Sequence, residues 1–108
     1  MTVKELQQRL ELSVLCEGDM QKSCNGCYSG DLLSWVMSRA RENDIWLTVM
    51  GNVNCVAVAV LTDCACVVLT ENASLDEDAR QRAAQQGVTI LQSSKNAYEL
   101  SVLISQLL

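Results

Sequence analysis

The apolar positions of this chain switch repeatedly between helical and strand spacing, and the switches divide it into short elements. Val3, Leu6 and Leu10 fall on one helical face, entered through Thr2-Val3-Lys4-Glu5. That tetrapeptide is a capping box: the threonine oxygen takes the Glu5 N–H and the Glu5 carboxylate returns to the Thr2 N–H. A brief apolar run, Leu12 to Leu15, precedes a polar loop from Glu17 to Ser23, and a short strand is predicted around Gly26–Tyr28. Asp31 is the expected N-cap of a second helix, whose stripe is Leu32, Leu33, Val36, Met37 and Ala40 and which ends near Asn43. Ile45 to Val49 reads as a strand and Gly51-Asn52 as a turn. Val53 to Leu61, apolar nearly all round, reads as a buried helix, although its periodicity also allows a strand.

Ala65 to Leu69 is β-branched enough for a central strand. Ser74-Leu75-Asp76-Glu77 has the form of a second capping box, opening a helix that stops at Gly87, a residue suited to the left-handed C-terminal position. Val88 to Leu91 is the last predicted strand. Ser93 or Ser94 is the expected cap of a final helix carrying Leu100, Leu103, Ile104 and Leu107. Alternating β and α, with strands apolar on both faces, predicts a three-layer α/β/α fold around a mostly parallel sheet of about five strands. The 108 residues suit a single domain, 1–108.

Composition narrows the function classes. Thirteen acidic residues against eight basic ones give a net charge of −5, which disfavours nucleic-acid backbones as partners. No apolar run reaches the ~18 residues of a membrane span. The N-terminus lacks the basic-then-apolar form of a signal peptide, so the expected location is cytoplasmic. Histidine and proline are absent. Losing histidine removes the usual general base and every Ser-His or Cys-His nucleophile pair. No G-x-G-x-x-G or Walker-type loop occurs, and no cofactor is expected.

Six cysteines without an export signal point to reduced thiols. Cys24-Asn25-Gly26-Cys27 is a C-x-x-C pair, and with Cys64-Ala65-Cys66 it offers four candidate metal ligands, Cys16 being in reserve. Residues two apart on a strand face one side, so Cys64 and Cys66 are expected to point the same way. Ordinary packing or turn positions are the favoured account of these cysteines over metal binding or disulfide chemistry, and Cys55 reads as core.

Several segments together resemble the DRTGG domain family, including its short stand-alone members and relatives of the HPr kinase N-terminal domain. They are Thr2-Val3-Lys4-Glu5-Leu6, the run Gly26 to Met37, Ile45-Trp46-Leu47-Thr48, Asn54 to Leu61 and Ala97-Tyr98-Glu99-Leu100. At the naming motif the chain reads Gln21-Lys22-Ser23-Cys24-Asn25-Gly26-Cys27, where Gly26 survives and Lys22 is the candidate for the arginine. The resemblance implies a three-layer α/β fold and a dimerising, regulatory or ligand-sensing role. It also implies larger relatives with CBS domains, which bind adenine nucleotides, and stand-alone ones that accompany redox systems.

In a parallel sheet, ligands bind beyond the carboxyl ends of the strands. The loops expected there carry Ser29 and Asp31, Asn52 and Asn54, Thr70, and Ser93, Ser94 and Lys95. Each leads into a helix N-terminus, whose unpaired N–H groups suit an anion. Plain helix capping calls for the same residue types, so these loops mark a candidate cleft without naming its ligand. The expected function is a non-catalytic regulatory or sensing module that binds a small nucleotide-like molecule or a redox-enzyme partner. A homodimer is expected to bury Trp35 beside Leu32, Val36 and Met37. The alternative is a thiol or metal redox protein using Cys24 and Cys27.

Overall fold

The computed structural model describes residues 1–108. Helix α1 (Val3–Arg9) begins at the expected capping box, with Thr2 Oγ1 accepting from Glu5 N at 3.2 Å and Glu5 Oε1 accepting from Thr2 N at 3.0 Å. There follow β1 (Ser13–Cys16), β2 (Gly26–Ser29), α2 (Leu33–Arg39), β3 (Asp44–Thr48), α3 (Val53–Thr62), β4 (Cys66–Leu69), α4 (Glu77–Gln86), β5 (Ile90–Gln92) and α5 (Ala97–Leu107). The five strands form one sheet in the order β1-β5-β4-β3-β2. β2 through β5 run parallel, and β1 closes the far edge antiparallel to β5.

Between β2 and β5 the chain moves one strand over at each crossover, always in the same direction. Right-handed crossovers then place α2, α3 and α4 on one face. Val36, Val56, Ala59, Ala79 and Ala83 accordingly pack with Trp46, Val67 and Leu69 on that side. The other side buries Val3, Leu6, Leu100 and Ile104 from α1 and α5 against Ile45, Leu47, Val68 and Leu91. Central β4 is buried on both faces, as its unbroken apolar run requires. Only alanines, Ala79 and Ala83, are buried from α4.

Four expectations are corrected. Asp31 does not cap α2; Leu32 holds the N-cap position with no side-chain cap, because the Asp31 carboxylate is engaged elsewhere. Helix α2 also stops at Arg39 rather than near Asn43, and of its proposed stripe only Val36 is fully buried, Leu32 and Met37 being exposed. Ser74 lies in the loop before α4, whose N-cap is Asp76. The final helix is capped by Asn96 in a reciprocal box with Glu99, not by Ser93 or Ser94. Gly87 does end α4 in the left-handed region, at φ 70°. No helix is long and apolar enough to cross a membrane.

Candidate functional site

Helices α2, α3 and α4 leave their strands toward one face, whereas α5 leaves β5 toward the other. The carboxyl ends of β4 and β5 are therefore the point at which the chain diverges, the place where open α/β sheets bind ligands. Four loops meet along this rim, and backbone hydrogen bonds tie each to its neighbour. Glu71 N donates to Lys95 O and Asn72 N to Ser93 O, both at 2.9 Å, which closes β4's loop onto β5's. Glu71 and Asn72 reach those acceptors by adopting positive φ, 56° and 54°. Thr70 N donates to Thr48 O at 3.0 Å, and Asp76 N to Gly51 O at 2.8 Å.

Asp31 joins the last pair of loops. One carboxylate oxygen accepts from Thr48 Oγ1 at 2.7 Å and from Val49 N at 3.0 Å, and Thr48 Oγ1 itself accepts from Met50 N at 3.2 Å. Nearby, Trp46 Nε1 donates to Gly30 O at 2.9 Å. Removing the carboxylate leaves the buried Thr48 hydroxyl without its acceptor, which costs about 1–3 kcal/mol. Asp31→Ala is expected to lose that amount in urea denaturation, and Asp31→Asn, which keeps an acceptor oxygen, less than half of it. Equal losses in the two variants would contradict this role.

Of the rim residues expected from sequence, Asp31, Asn54, Ser29, Ser94 and Lys95 are exposed, and Asn52 and Ser93 are half-buried. Thr70 is buried, at 2% exposure, so its side chain is not presented to solvent. Asn52 caps α3 by accepting from Cys55 N at 3.0 Å. This leaves Val53 and Asn54 in α3, like Ala97 and Tyr98 in α5, as first-turn amides without an intrahelical acceptor. Lys95 stands on this rim outside any ion pair, the two pairs in the structure being Lys22–Asp63 and Arg80–Glu77. The rim is a surface of joined loops rather than a deep cleft. The least open cavity, about 120 Å³, lies at the opposite end of the sheet beside Lys22, Asp63, Cys64 and Thr89. The stretch from Gln21 to Cys27 sits at that end too, with Lys22 Nζ 2.9 Å from Asp63 Oδ1. Sequence reading missed Thr48, for which a threonine ending an otherwise apolar strand was the available signal.

The cysteines are distributed differently from the sequence expectation. Cys64 N donates to Ala59 O at the close of α3, so β4 begins only at Cys66. Cys64 consequently packs on the α3 side and Cys66 on the α1/α5 side. The expected same-side pair does not exist. Cys66 instead shares the α1/α5 core with Cys24, and its interaction with that thiol, together with full burial, holds the Cys66 thiol well above its usual range. The same interaction holds Cys24 lower. Cys27 is exposed, yet partial desolvation of its thiol, aided by Asp44 and Cys24, pushes it up to about 11. All six cysteines are free, and no three cysteine, aspartate or glutamate side chains gather around a common ion position.

The model of the DRTGG domain matches residues 5–107. Among solved structures, the fold is similar to the CBS and DRTGG domains of the regulatory region of Clostridium perfringens pyrophosphatase, complexed with its activator diadenosine tetraphosphate. The TM-score is 0.78 at 13% identity, over 97% of this chain and 46% of that one. The chain thus spans about half the length of that neighbour. No curated protein matches it.

Proposed function

Because this chain belongs to the DRTGG domain family, we propose that it is a non-catalytic regulatory module, which binds a small nucleotide-like ligand at the β4/β5 rim and acts as a homodimer. The observation carrying this reading is the rim itself: four loops, bonded into one surface where α4 and α5 part, with Lys95 next to the unpaired Ala97 and Tyr98 amides that open α5. Those groups suit one anionic moiety, and Asn54, Ser93 and Ser94 add polar partners for a sugar or base edge. A regulatory region bound to an adenine dinucleotide in a neighbour of the same fold supports the ligand class. Because the rim loops are bonded to one another, ligand at one loop would shift its neighbours, and binding would favour one arrangement of the dimer over another.

Calorimetry with AMP, ATP and diadenosine tetraphosphate tests the reading. At least one should bind, and Lys95→Ala should weaken it about tenfold or more, the loss of one charge-assisted hydrogen bond. Lys95 is exposed, and the substitution retains the backbone carbonyl that Glu71 uses. No heat with any of the three, or unchanged affinity in Lys95→Ala, would contradict the assignment.

A further inference from the structure

We draw no further inference here: the strongest candidate, the cavity of about 120 Å³ where α3 and α4 end beside Asp19 and Lys22, carries none, because Lys22 answers the Asp63 carboxylate, Gly18 N the buried Thr89 hydroxyl and Gln21 N the Asp19 carboxylate, which leaves no buried polar group there to call for a ligand.

Discussion

Gly51→Ala is expected to be the most damaging single-methyl change in the chain. A Cβ at Gly51 would lie 1.9 Å from Ser74 O and 2.9 Å from the carbonyl carbon, backbone atoms that cannot rotate away. The neighbouring Asp76 N to Gly51 O bond, at 2.8 Å, holds the two loops at this separation. The loops must part, and overpacking against backbone costs about 3 kcal/mol, or roughly 15 °C of melting temperature for a domain of this size. Gly87 supplies the contrast. Its φ of 70° is the only left-handed one among the glycines, and no atom lies within 4 Å of a Cβ built there. Gly87→Ala therefore carries only the conformational cost, about 1–2 kcal/mol. Because Gly51 lies on the rim, its alanine variant should also weaken the ligand, whereas Gly87→Ala should not. Equal stability losses in the two variants, read from urea midpoints, would contradict this account.

The second large effect is alkaline. Burial pushes the thiols of Cys55 and Cys64 up to about 12, the nearby charge of Cys64 adding to the rise at Cys55, while Lys22 opposes it at Cys64. Both side chains lie in the α3-side core. In the unfolded chain a thiol loses its proton near about 8.5. Between that pH and 12 the folded state binds more protons than the unfolded one, so stability falls as pH rises. Each thiol contributes a slope of up to about 1.4 kcal/mol per pH unit, and the pair about 3. Stability is complete below pH 8 or so, and the whole margin of a small domain, about 5–15 kcal/mol, is then largely consumed by about pH 11. Urea midpoints under reducing conditions should fall steeply above pH 9 in the wild type, and the Cys55→Ala/Cys64→Ala double variant should fall with roughly half that slope, the remainder belonging to Cys27 and Cys66. An undiminished slope in the double variant would place the loss on other groups.

Features set by near neighbours were legible in the sequence. The Thr2/Glu5 box, the left-handed Gly87 and the helical reading of Val53 to Leu61 all depend on residues within a turn or two, and each is present. The parallel order followed from the alternation of elements, and the sheet confirms it except at β1. What escaped depends on distant partners. Asp31 has the composition of a cap, but its acceptor oxygen is claimed by Thr48 and Val49, seventeen and eighteen positions on. Ser93 looked like a cap because hydroxyls serve that purpose, yet its carbonyl is held by Asn72, which delays the helix to Asn96. Cys64 and Cys66 were expected on one side because strand alternation was assumed to begin one turn too early. In α3, valine and alanine on every side hid which face looks outward; only the sheet beneath it decides that.

The central claim is that a small ligand is held where the loops of β4 and β5 meet, and amide chemical-shift mapping addresses it residue by residue. With uniformly labelled protein and the nucleotide that binds, the largest shifts should fall on the amides of Glu71, Asn72, Lys95, Ala97 and Tyr98. Shifts confined instead to Lys22, Asp63 and Thr89, at the opposite end of the sheet, would contradict the account.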